Sequence, residues 1–250
     1  MASQPEAGGR RRLVLAASTR HDIEIGLPIL LELAAALRSE LATLFVTDEA
    51  QLAACALPFP ALVSFSGGSI NYDQSRFEAA VRHEAKACRR VLAHAAERAR
   101  LAWTFETFRG ESMQLMHAAS QIGDILVINN DRSLLSPSEM ITIARKFVPR
   151  GGGVLFMRGR TTWRYGPLVI IDAHDPPIGG LAQFANALAQ ELGASVSRIA
   201  QEKNVEAGDI ACARLLVGTI ESPIWEITAL QQVMSSLGPP LLLLRRDFND

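Results

Sequence analysis

Short apolar runs alternate with longer stretches of helical spacing along most of the chain. Leu13-Val14-Leu15-Ala16-Ala17 predicts a buried strand, followed by a polar loop from Ser18 to Glu24. A helix is expected over Leu27 to Glu40. Leu30, Leu33, Ala34 and Leu37 share one face there, and Pro28 falls in the first turn, where its missing N–H costs little. Leu41 to Val46 is the next strand, and Ala56 to Tyr72, with Pro58, Pro60, Gly67 and Gly68, a long loop. Asp73 to Arg100 holds no Gly or Pro and predicts a long helix with Phe77, Val81, Ala85, Cys88, Leu92 and Ala95 as its buried stripe. Strands at Ala102 to Phe108, Asp124 to Asn129 and Val154 to Met157 then alternate with helices at Ser112 to Gln121 and Pro137 to Phe147. Near-continuous apolar strands separated by helices imply an α/β fold with a doubly wound parallel sheet, covered on both faces.

The pattern restarts at Leu168-Val169-Ile170-Ile171-Asp172, with a helix over Gly180 to Leu192 and a strand over Ala194 to Ala200. Ala36-Leu37-Arg38-Ser39-Glu40-Leu41 and Ala187-Leu188-Ala189-Gln190-Glu191-Leu192 agree at four of six positions and occupy the same point in each unit. Leu215-Leu216-Val217 and Leu241 to Leu244 with Arg245 parallel Ile125-Leu126-Val127 and Val154 to Met157 with Arg158. The second unit lacks the long basic helix and the third strand. The reading divides the chain into a disordered tail (1–10), a complete domain (11–160) and a shortened copy (161–250). Their two sheets are expected to meet edge to edge or through their last strands.

Composition narrows the function classes. The 250 residues carry a net charge of −1, which argues against a dedicated nucleic-acid binder. No apolar run approaches the roughly 20 residues that cross a bilayer, so no membrane insertion is expected. Three scattered cysteines, Cys55, Cys88 and Cys212, without a C-x-x-C pair indicate a reducing, cytoplasmic setting.

Few residues suggest chemistry. Asp172-Ala173-His174-Asp175 follows a strand's carboxyl end, where open α/β sheets place ligands. Its spacing fits turn capping better than a metal site or an adenosine ribose. His83 and His94 lie eleven residues apart on the long helix, too far for a facing metal pair, and no metal is expected. His21, at the end of the first strand, has no nucleophile or second base placed beside it. The chain is therefore expected not to be an enzyme. Arg145, Lys146, Arg150, Arg158, Arg160 and Arg164 form a basic stretch free of acids. It is read as an interface, pairing with acids such as Glu191, Glu202, Glu206 and Asp209 or with another subunit.

This layout resembles the universal stress protein family in its tandem form, with the second half truncated. Members of that family often bind ATP. They use an Asp that ends the first strand and a Gly-x2-Gly-x9-Gly-(Ser/Thr) loop after the fourth, whose backbone N–H groups approach the phosphates. Here Ala17 replaces that Asp, and Asn129-Asn130-Asp131-Arg132-Ser133-Leu134-Leu135 holds no glycine. In the second half Asp172, Gly218 and Thr219 match, but Ile220-Glu221-Ser222-Pro223 follows without the spaced glycines. The resemblance thus implies a regulatory or scaffolding stress-response protein without a bound cofactor, acting through a protein partner or as a homodimer. The alternative is a protein that holds ATP or AMP in its second half at Asp172, Gly218 and Thr219. The family's fifth-strand dimer contact would here involve Val154 to Met157 or Leu241 to Leu244.

Overall fold

A computed structural model describes residues 11–47, 61–63, 69–71, 74–110, 123–129, 136–147, 152–157, 165–172, 180–199, 210, 212–222, 225 and 239–245. β1 (Arg12–Ala17), α1 (Arg20–Ala36), β2 (Glu40–Thr47), β3 (Ala61–Val63), β4 (Ser69–Asn71), α2 (Gln74–Arg98), β5 (Trp103–Arg109), β6 (Ile125–Asn129), α3 (Pro137–Phe147) and β7 (Gly153–Met157) form the first run. The second run consists of β8 (Leu168–Ile171), α4 (Leu181–Leu192), β9 (Val196–Ile199), β10 (Leu215–Thr219) and β11 (Leu241–Leu244). The predicted helix at Ser112 to Gln121 and the tail at 1–10 lie outside the described residues.

Nine strands form one sheet, in the order β5-β2-β1-β6-β7-β11-β10-β8-β9, the two expected sheets being joined through their last strands. Every neighbouring pair is parallel except β7 and β11, which run antiparallel with Gly153 opposite Leu244 and Phe156 opposite Leu241. Both fifth strands of the expected units are therefore spent on each other in the middle of the sheet, and neither offers an edge to a second copy. The junction is tight. A Cβ at Gly153 would come within 2.7 Å of the Leu243 carbonyl oxygen, so only glycine fits there without displacing backbone.

Two apolar layers sandwich the sheet. Leu13, Leu15 and Val127 face α1, α2 and α4, together with Ile170, Val217 and Leu242 from the second run. Val14, Leu126 and Phe156 face α3 on the other side, with Val169, Leu216, Ile220 and Trp225. The strands are apolar at nearly every position because both faces are covered. β3 and β4 form a separate antiparallel pair inside the predicted loop.

α1 begins seven residues earlier than its apolar spacing suggested. Thr19 caps it: the Thr19 hydroxyl accepts from Asp22 N–H at 3.3 Å, and Thr19 N–H donates to the Asp22 carboxylate at 2.8 Å. The polar stretch read as a loop is the solvent side of a first turn whose inner side is Ile23, fully buried. Pro28 therefore lies in the helix interior, on an exposed face. A second reciprocal cap, Ser136 with Glu139, starts α3 and lowers the Glu139 carboxyl below its usual range through the Ser136 hydroxyl and backbone N–H.

Candidate functional site

In parallel α/β sheets the carboxyl ends of the strands are where ligands are placed. Because the two runs oppose each other across β7 and β11, the molecule has two such edges, on opposite sides of the sheet.

At the second edge, Ile171 pairs with Gly218, so Asp172 and Thr219 come one step further along neighbouring strands. Both are buried, Asp172 completely. Ser222 Oγ donates to Asp172 Oδ1 at 3.5 Å, and the Asp172 N–H donates to the Ile199 carbonyl at 3.3 Å. Trp225 closes the cluster. Its indole N–H donates to the Thr219 carbonyl at 2.6 Å, and its ring packs where a Gly218 side chain would be: a Cβ there would meet Trp225 Cζ2 at 2.5 Å. The structure thus brings Asp172, Gly218 and Thr219 together, and fills the space beside them with an aromatic ring from the same chain. His174 and Asp175 lie outside the described residues.

The first edge is filled by different chemistry. Ala17 stands at the register of Asp172, and Asn129 at that of Thr219. Backbone N–H groups at a helix start are natural anion donors. Here the N–H groups of Ser18 and Thr19 and the Ser18 hydroxyl all donate to the Asp22 carboxylate, at 3.0, 2.8 and 3.1 Å. Arg20 N–H donates to Glu84 Oε1, reaching over from α2, at 2.7 Å. A phosphate arriving there would meet two carboxylates. Asn129 Nδ2 donates to the Asp22 carbonyl at 3.4 Å. His21 is exposed in the first turn of α1.

Arg145 and Lys146 are exposed in the last turn of α3, and Arg150, Arg158, Arg160 and Arg164 lie outside the described residues. Glu191, one of the acids expected to pair with this stretch, sits 3.5 Å from Arg38, which follows α1. The stronger tie between the runs went unread in the sequence. Arg214, just before β10, donates Nη1–H to the Leu192 carbonyl at 2.8 Å and Nη2–H to the Glu32 carboxylate of α1. Asp124, at the matching place before β6, is clasped by Arg12 through both carboxylate oxygens, at 3.1 and 2.6 Å. That hydrogen bond raises the Arg12 guanidinium above its ordinary value, against its own partial burial. A charged residue directly ahead of an apolar run was the available signal for both. His83 and His94 are exposed, and among the described residues no cluster of His, Cys, Asp and Glu could hold a metal ion. No described helix is long and apolar enough to cross a membrane.

No family model matches the sequence, and no curated protein does. Solved structures do match. A universal stress protein from Archaeoglobus fulgidus DSM 4304 shares 11% identity at a TM-score of 0.54, over 96% of this chain and 97% of its own. A putative universal stress protein from Pseudomonas aeruginosa UCBPP-PA14 shares 12% identity at 0.55, over 96% and 94%. The cytoplasmic domain of a prokaryotic cation chloride cotransporter shares 12% at 0.52, over 97% and 98%. The chain has the α/β fold of universal stress proteins.

Proposed function

We propose that the protein is a non-catalytic regulatory or scaffolding protein of the stress-response type, built from two tandem universal-stress-protein-like domains at 11–160 and 161–250. It acts in the cytoplasm through a protein partner or its own copy, without family-style ATP binding. One observation carries this reading: both carboxyl edges are occupied by the chain's own side chains, Asp22 and Glu84 at one and Trp225 at the other. The likeness to the cytoplasmic domain of a cotransporter makes a membrane-protein complex one candidate partner. Since β7 and β11 already pair within one chain, self-association uses another surface. Titration calorimetry with ATP and with AMP tests the reading. No binding heat is expected, and micromolar affinity for either nucleotide overturns it.

A second reading is favoured by the buried Asp172 beside Thr219 and Ser222, which is a polar cluster at a ligand-binding position. In it, ATP or AMP is held by Asp172, Gly218 and Thr219 after Trp225 moves aside. Asp172→Ala then abolishes nucleotide affinity; an unchanged affinity removes the second reading.

A further inference from the structure

The near-neutral total charge conceals a strong asymmetry. Residues 74–100 carry seven Arg and Lys against three Glu, a net of +4, so the other residues together carry −5 of the total of −1. The structure places this excess on one helix face. α2 buries Cys88, Leu92 and Ala96 against the sheet, while Arg76, Arg82, Lys86, Arg89, Arg90 and Arg98 are exposed. Its acids do little to balance them. Glu84 accepts from Arg20 N–H, Glu78 pairs with Arg82 at 3.5 Å, and Glu97 alone of the three is exposed beside the cations, next to Arg98. Among the described residues no acid lies within ion-pair distance of Arg76, Lys86, Arg89, Arg90 or Arg98. Like charges one turn apart, such as Lys86 and Arg90, each weaken a helix by about 0.2–0.5 kcal/mol.

We propose that the solvent face of α2 binds the phosphodiester backbone of a nucleic acid strand, without reading its sequence. From Arg76 to Arg98 the stripe runs about 33 Å at 1.5 Å per residue, on the order of ten phosphates of one strand at 3.4 Å each. Arginine outnumbers lysine six to one over residues 74–100, and its planar fork suits phosphate oxygens. The shape of the patch decides between anions. It is a single-helix stripe, and the exposed Glu24 and Glu32 of neighbouring α1 are each paired with an arginine, so a flat anionic bilayer would gain little beyond the stripe. A protein partner would be expected to meet aromatic anchors beside the arginines, yet Tyr165 is the one exposed large hydrophobic residue among those described, and it is not on α2. A twofold contact between two copies through this face would set cation against cation.

Fluorescence anisotropy of the full chain tests the proposal, with a labelled mixed-sequence single strand, its duplex, and phosphatidylserine vesicles as the competing anion. Binding to nucleic acid is expected at about 50 mM salt, weakening steeply toward 200 mM. Lys86→Glu with Arg90→Glu should lower affinity about tenfold or more and reduce the log–log salt slope by about 2. The milder Lys86→Gln with Arg90→Gln should give a smaller loss in the same direction, which guards against a folding defect. Arg145→Glu with Lys146→Glu should leave binding unchanged. Absence of binding at low salt, tighter binding to vesicles than to nucleic acid, or equal loss in the Arg145/Lys146 variant overturns the proposal.

Discussion

The two carboxyl edges of the sheet present the same architecture closed in opposite ways. At the first, Asp22 and Glu84 satisfy the backbone donors that begin α1. At the second, the acid Asp172 survives at the strand end, but a Trp225 ring lies against Gly218 and its N–H caps the Thr219 carbonyl. The first closure is electrostatic and sits at the surface; the second is apolar and buried. The difference matters because a carboxylate cap repels an anionic ligand outright, whereas an indole only occupies room. If either edge can be reopened by mutation, it is the second.

The largest expected effect comes from removing that plug. Trp225 is 2% exposed, and truncating a buried Trp costs about 3–5 kcal/mol from lost burial and the cavity left behind. Urea unfolding of Trp225→Ala should show a loss of this size, while Trp225→Phe, which keeps most of the ring volume and forfeits the bond to Thr219, should lose about half. A loss below 1 kcal/mol for Trp225→Ala would mean the ring is not part of the core.

The amino ends of the strands sharpen the same comparison. Arg12 and Arg214 each hold an acid, but the acids differ in exposure: Asp124 is 2% exposed and Glu32 47%. Arg12→Ala strands a buried carboxylate and should cost about 3–5 kcal/mol, and removing Asp124 as well should recover part of it. Arg214→Ala leaves Glu32 free to hydrate. Its cost, about 1–3 kcal/mol, is the orphaned Leu192 carbonyl and lost packing. Equal losses would show that the two anchors are alike after all.

Much of this was legible in the sequence, and what was not has a common cause. Unbroken apolar runs such as Leu241 to Leu244 announce a strand covered on both faces, and Ser136-Pro137 with Glu139 marks the start of α3 to the residue. Local pattern fails where the partner is distant. Every residue of β7 and β11 is buried, so no alternation in either reveals that they pair with each other, antiparallel. The start of α1 was missed because a capping box is made of polar residues, which periodicity reads as loop. Asp172 and Thr219 were found because they end strands. Trp225 and Ser222 were not, because nothing local states that the chain after β10 folds back over its own strand end.

α2 has no counterpart among the described residues of the second run, and it gives the first run an alkaline weakness. Burial, helped by Glu84 and Asp22, pushes the Cys88 thiol from 9.0 up to about 12. The folded state thus keeps the thiol neutral where the unfolded chain ionises it. Its contribution is complete below pH 9 and is lost progressively as the pH rises toward 12. At pH 10 the loss is about 1 kcal/mol. Cys88→Ala should lower stability at pH 7 but flatten the decline between pH 8 and 10 by that amount. Comparing the pH dependence of the two proteins isolates Cys88 from other alkaline titrations, and parallel curves would refute the assignment.

The smallest effect has the opposite sign. Thr43 lies on β2 between Leu15 of β1 and Phe105 of β5, 1% exposed, and its hydroxyl has no hydrogen-bond partner among the described residues. At the corresponding register of the second run stands Arg198 on β9, an edge strand. β2 is flanked on both sides, by β1 and β5, and the Thr43 hydroxyl lies on its buried face. A buried hydroxyl without a partner costs about 1–3 kcal/mol. Thr43→Val keeps the shape and removes the oxygen, so it should stabilise the protein by about 1 kcal/mol and raise the thermal midpoint by about 2–4 °C. Thr43→Ser, which keeps the hydroxyl and deletes the methyl, should destabilise by a similar amount. If valine instead weakens the fold, the hydroxyl has a partner after all, and the third strand of the first run is bound by more than apolar packing.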